Sequence, residues 1–192
     1  MEENKRNYFK TRRYSAHHFL LNVAQDILEG SKEHPDRYDH FDVAIQAMLY
    51  SALALEAIAN SFGDRLYQRW QDDFESTKLH GKLRLVAYRL KVEYDTGKQP
   101  WGSVKEIVSF RNKLVHPKPE HITVTKSLTK EEYKNRFRYE WPRAKLEQEV
   151  SLDKADRFLK CVLAILDLFL DQMDYDQSDG LDYDSVSGGS TL

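Results

Sequence analysis

The sequence predicts an all-α fold on three observations. Apolar residues recur at helical spacing over most of the 192 residues, and residues that start and stop helices bracket those stretches. Strand character is confined to one short run, His121-Ile122-Thr123-Val124-Thr125. At 22.6 kDa the chain has room for one domain with a core. Residues 1–173 form that expected domain; residues 174–192, rich in Asp, Ser and Gly, read as a disordered acidic tail.

The elements follow in order. Ser15 can cap a first helix through Phe19, Leu20, Val23, Ile27 and Leu28, with Gly30 placed to end it and a loop from Ser31 to Arg37. A second helix, Tyr38 to Phe62, carries Ala44, Ile45, Met48, Leu49, Ala52, Leu55, Ile58 and Ala59. Its small residues suit close packing, which makes it the expected central helix. Gly63 reads as an interruption, followed by a shorter amphipathic helix from Asp64 to Phe74. Leu79 to Val92 forms the next helix, before a turn-rich stretch with Pro100.

Ser103-Val104-Lys105-Glu106 has the pattern of a capping box, so a helix is expected to start there. Pro117 and Pro119 stop it, leaving His116 at or just past its last turn. Residues 117–150 read as an irregular insertion, with a short helix starting near Thr129 and a turn at Trp141-Pro142. Ser151 can cap a final helix ending near Met173 that is apolar nearly all round, fit for a core centre or an oligomer face.

With 41% hydrophobic and 31% charged residues the chain can bury enough surface to fold. Its one cysteine, Cys161, rules out an intrachain disulfide and a four-cysteine zinc site, so a reducing compartment is the default. Met1 to Arg13 is too polar for a secretory signal, and no apolar stretch is read as reaching the roughly 20 residues that cross a bilayer. A cytoplasmic protein is expected. Seven of the 31 acidic residues lie from Asp167 onward, where there is no Lys or Arg, so 24 face all 29 basic residues in the rest. That body carries about five excess positive charges, concentrated in Lys10 to Arg13, Lys78 to Arg84, Lys113 to Lys118 and Lys134 to Arg138. Each cluster taken alone is also explained by an ordinary solvated face.

The sharpest feature is Arg111-Asn112-Lys113-Leu114-Val115-His116. At ~100° per residue, Ile107, Val108, Phe110, Leu114 and Val115 form one apolar arc with Arg111 near its centre. A guanidinium there needs a carboxylate, a phosphate or a wet cleft, because an unpaired buried charge costs several kcal/mol, of order 3–5. In a straight helix Arg111 and His116 stand ~140° apart, whereas Asn112 and His116 share a face at ~40°; a loosened last turn is expected to bring the imidazole round to a pocket shared with the guanidinium. Glu56 is the only charged residue between Asp42 and Asp64 and is the expected partner of Arg111, with Asn60 one turn further on joining the polar cluster. An outward-pointing or purely architectural Glu56 is the alternative.

An arginine followed within a few residues by histidine, near the end of a late helix of an all-α chain, resembles the HEPN superfamily, the higher-eukaryote and prokaryote nucleotide-binding domains. The likeness is specific only over Arg111 to Pro117 and architectural over Ser15 to Met173, where a long central helix and a final apolar helix flank the motif. It implies an antiparallel helical bundle and a homodimer whose two motifs face each other. It further implies a metal-independent endoribonuclease with no cofactor, serving as a toxin or phage-defence effector, with an antitoxin or other regulatory protein as a further partner.

In that reading His116 takes the ribose 2′-hydroxyl proton or protonates the departing 5′-oxygen, since imidazoles ordinarily titrate near neutrality. Arg111 holds the scissile phosphate and stabilises its developing charge. Asn112 orients His116 or bonds the phosphate, Glu56 and Asn60 support from behind, and Lys113, Lys118, Lys78 and Lys82 meet the RNA backbone. Some toxins of the superfamily carry a modifiable tyrosine two residues after the histidine; Lys118 stands there, so that regulation is not implied. The alternatives are a non-catalytic module that binds RNA, a nucleotide or a protein partner, and a helical subunit that docks through its last helix.

Other residues carry less. His80 reads as a surface histidine at a helix start, His17 and His18 point in different directions as a poor metal pair, and His34 and His40 lack ligand partners. Trp70, Trp101 and Trp141 read as core or interface residues rather than as a base-stacking platform.

Overall fold

Helix α2, His40–Leu66, is the centre of the structure. Its Ala44, Ala47, Ala52, Ala54 and Ala59 are buried and let neighbouring backbones approach, while Met48, Leu55, Ile58 and Phe62 fill the space between. The computed structural model describes residues 8–34, 40–125, 127–135, 142–173, 181 and 185–190, with side chains omitted for 8–13 and 185–190. Against α2 pack α1, Ala16–Glu33, and α8, Leu152–Leu170, and then α4, Leu79–Arg89, and α5, Trp101–Val115. The short helices α3, Trp70–Phe74, α6, Lys130–Lys134, and α7, Lys145–Glu149, complete the all-α body.

One mixed core joins these helices. Phe62 and Trp101 both lie against Phe169, and Phe110 meets Phe158 edge-on, so α2, α5 and α8 share aromatic contacts. Trp70 and Trp101 are core residues, as expected; Trp141 lies outside the described residues. The final helix is more amphipathic than its sequence suggested. Its buried face runs through Phe158, Val162, Ile165 and Phe169, while Asp153, Arg157, Lys160 and Asp167 are exposed. Ser151 caps it, its hydroxyl accepting from the Lys154 amide. Cys161 is buried there; its thiol donates to the Pro100 carbonyl, and burial pushes its pKa up to about 12.

Several boundaries differ from expectation for physical reasons. Gly63 does not break α2: a Cβ at Gly63 would lie 2.1 Å from the Trp70 ring, so the glycine is a packing site for that indole. The segment expected to form one helix from Asp64 to Phe74 is split: Asp64 to Leu66 end α2, the chain turns at Tyr67 to Arg69, and Trp70–Phe74 forms the separate α3. Gly30 sits inside α1, which runs on to Glu33. Helix α5 starts at Trp101, two residues before the expected capping box. Ser103 is inside it, donating to Gln99, and Glu106 instead bonds Lys154 and Arg157 of α8 at 2.8 Å each. Thr129 does form a capping box, at the start of α6, whereas His121 to Thr125 forms no strand and α7 was not foreseen. By length and composition α2 suffices to cross a bilayer, contrary to expectation; half of its apolar stretch is buried inside this protein.

Among the described residues of the tail expected to be disordered, 185–190 form a strand and Leu181 is buried. Strand β1, Tyr8–Arg13, pairs antiparallel with β2, Ser185–Ser190, in the register Tyr8 to Ser190 and Arg13 to Ser185. Leu181 is 1% exposed, and its carbonyl accepts from Nε2 of both His17 and His18. An average over composition misses a single apolar anchor of this kind. The two imidazoles, expected to diverge, lie 4.1 Å apart because that carbonyl draws them together.

Candidate functional site

The end of α5 carries the site, and its position is set from both sides. Glu106 ties the helix to α8, and Ile107 and Phe110 bury its inner face. At its C-terminus His116 leaves helical geometry, with φ −123° and ψ 61°, while its amide still donates to the Asn112 carbonyl at 3.0 Å. The prolines that follow account for the stop.

Arg111 meets Glu56, as the isolated carboxylate of α2 suggested. Nη2 donates to Glu56 Oε2 at 2.6 Å, and the two side chains are 32% and 31% exposed. Nη1 donates to Asn112 Oδ1 at 3.2 Å, and Nε is buried without a partner among the described residues. A guanidinium has five N–H donors, so these bonds leave others for an anion at the exposed edge.

Asn112 lines two clefts. The smaller, of about 370 Å³, is bounded by Glu56 from α2, by Lys78 and His80 from the start of α4, and by Arg111 and Asn112. The larger, of about 970 Å³, contains His116 with Asn112, Lys113 and Lys118, and is walled by Ile122, Lys145 and Leu146 of the insertion. Arg111 and His116 open into different clefts that share Asn112; although His116 leaves helical geometry, the loosened turn does not bring the imidazole into the guanidinium's cleft as expected, and the two stay apart as their ~140° separation on a helix dictates.

The structure brings together Arg111, Glu56, Asn112 and Lys78 in one cleft, and Asn112, His116, Lys113 and Lys118 in the other. It does not bring Asn60 to Arg111. Asn60 accepts from Lys82 Nζ at 3.0 Å and from Trp70 Nε1 at 3.4 Å, because α3 and α4 cover that turn of α2. Lys82 is 5% exposed, so it is a structural cation with a buried stem rather than a surface contact for RNA. Lys113 is exposed but paired with Glu149, which reduces its pull on an anion. Lys78 and Lys118 are exposed at the two clefts.

Sequence reasoning set His80 aside, yet it lies in the Arg111 cleft. Its Nδ1 is 3.2 Å from the Tyr94 hydroxyl. Burial, and then the charge of Lys105, lower the pKa of His80, which keeps its ring neutral at pH 7. Burial likewise raises the pKa of Tyr94, so the phenol keeps its proton. No spacing rule joins residue 80 to residue 111; only the packing of α4 beside α5 does. Chemically, the combined site offers a forked cation, two imidazoles, an amide and free lysines, a set suited to binding a phosphodiester and moving protons around it. No protein-family model, curated protein or solved structure matches the chain.

Proposed function

We propose that the chain is a HEPN-type endoribonuclease that cuts RNA without a metal, by attack of the ribose 2′-hydroxyl on the adjacent phosphate. The products are a 2′,3′-cyclic phosphate and a 5′-hydroxyl. The observation that carries this reading is the arrangement at the end of α5: Arg111 braced by Glu56 at 2.6 Å, with His116 one turn on and Asn112 shared between their clefts. Arg111 binds the scissile phosphate and stabilises its charge, and His116 exchanges a proton with an attacking or leaving oxygen. Lys78 and Lys118 extend the positive surface for the flanking phosphates.

The working form is a homodimer with a composite site in the cytoplasm, acting as a toxin or phage-defence effector restrained by a regulatory protein. Exposed Val115, next to His116 in the chain, and exposed Ile122, in the wall of its cleft, support an apolar rim for a second copy. The test is cleavage of RNA in EDTA, with ends analysed for cyclic phosphate and with Arg111→Ala and His116→Ala as controls. Folded variants that cut as fast as the wild type would remove both residues from the reaction and end this reading.

A non-cleaving module that binds RNA or a nucleotide is the second reading. It is favoured by the ion pairs that already engage Arg111 and Lys113. Salt-sensitive RNA binding with no product would select it.

A further inference from the structure

We propose that His80 is a second catalytic residue of the same site, the base that takes the 2′-hydroxyl proton while His116 protonates the departing 5′-oxygen. This rests on the ribonuclease reading above. Three observations support it. His80 shares a cleft with Arg111, Glu56 and Asn112, so a phosphate held by the guanidinium lies beside the imidazole. Its Nδ1 lies 3.2 Å from the Tyr94 hydroxyl; with Nδ1–H donating to the phenol oxygen, the lone pair a base requires is on Nε2, which has no protein partner among the described residues. Burial and Lys105 favour the neutral ring, the form a base requires.

The placement of the second histidine completes the argument. In-line displacement puts the entering and leaving oxygens on opposite sides of phosphorus, so base and acid must approach from different directions. His80 and His116 open into different clefts that share Asn112 as a lining residue, which lets the two rings reach one phosphate from different directions. The O2′–P bond forms as the P–O5′ bond breaks. One proton passes from the 2′-hydroxyl to His80 and another from His116 to the 5′-oxygen, and exchange with water restores both rings. Tyr94 is a positioning residue that fixes the orientation of the His80 ring.

The experiment measures single-turnover cleavage of a defined RNA in EDTA, beside the same RNA with sulfur replacing the scissile 5′-oxygen. A thiolate leaves without a proton, so the second substrate needs a base but no acid. On ordinary RNA, His80→Ala and His116→Ala are each expected to slow cleavage by ~100-fold or more. On the sulfur substrate His116→Ala recovers to within about tenfold of the wild type, whereas His80→Ala stays slow. His80→Gln keeps a hydrogen-bonding group for Tyr94 and is expected to match His80→Ala, which separates proton transfer from folding.

The wild-type rate should rise with pH through a value below the ordinary imidazole range, and that limb should vanish in His80→Gln. A folded His80→Ala that cuts ordinary RNA at the wild-type rate overturns the proposal while leaving the ribonuclease reading intact. Recovery of His80→Ala rather than His116→Ala on the sulfur substrate overturns His80 as the base. A wild-type protein that cuts neither RNA ends the ribonuclease reading, and this proposal with it.

Discussion

Glu56 Oε2 accepts from Arg111 Nη2 at 2.6 Å, joining the middle of the central helix to the last turns of α5. The bond spans elements 55 residues apart in the chain and accounts for the only charge in a long apolar stretch of α2. Because both side chains keep about a third of their exposure, the pair lies between a surface ion pair and a buried one. Arg111→Ala should then cost about 1–3 kcal/mol, chiefly by stranding Glu56. Glu56→Gln should cost less, since an amide can still accept from the guanidinium. Urea unfolding of both single variants and the double variant checks this, with a coupling of ~1 kcal/mol expected. Strict additivity would show that the two side chains do not interact.

His17 makes stability depend on pH. Burial, with the charge of His18 adding to it, lowers its pKa from 6.5 to about 4, against the opposing effect of the Leu181 carbonyl. The folded protein binds fewer protons than the unfolded chain between those values, so this contribution is full above pH 6.5 and is lost as pH falls toward 4. At most about 3 kcal/mol is at stake. Denaturation midpoints measured from pH 7.5 down to 4 should fall through that range, and His17→Gln should flatten the fall.

Gly63 tests the contact that reshapes the expected helix break. Gly63→Ala drives a methyl into the buried Trp70 ring, 2.1 Å from its Cε2 atom, and α2 cannot yield without disturbing the core. A loss of about 1–3 kcal/mol is expected, with a changed tryptophan emission spectrum. Wild-type stability in this variant would mean that Trp70 moves aside freely.

Lys91 offers the opposite sign. It closes α4 at φ 60°, with its amide donating to Tyr88 and the Val92 amide to Ala87, the hydrogen-bond pattern of a glycine-type helix end. An L side chain is strained there, so Lys91→Gly should stabilise by up to about 1 kcal/mol. A raised thermal midpoint is the readout, and a lowered one would show that the lysine stem contributes more by packing than its backbone costs.

Much of this arrangement was legible in the chain. Alanine-rich spacing identified α2 as the centre, Ser151 marked the start of α8, and the prolines after His116 marked the end of α5. The lone Glu56 announced its need for Arg111, because a carboxylate among alanines and leucines has few other ways to stay charged. The positions misread were those where one residue answers to a distant neighbour. Gly63 serves Trp70, Glu106 serves α8, Asn60 serves Lys82, and Leu181 serves two histidines.

Local chemistry thus determined the all-α class and the long helices, where α5 stops, and which cation and carboxylate must find each other, since periodicity and the cost of an unpaired charge act along the chain itself. Tertiary packing alone decided that His80 shares a cleft with Arg111, that His116 opens into another one beside it, and that Lys82 is buried. A cleft belongs to no single segment. Here α2, α4 and α5 bound one and the insertion walls the other, so only the relative placement of helices distant in sequence sets what faces what.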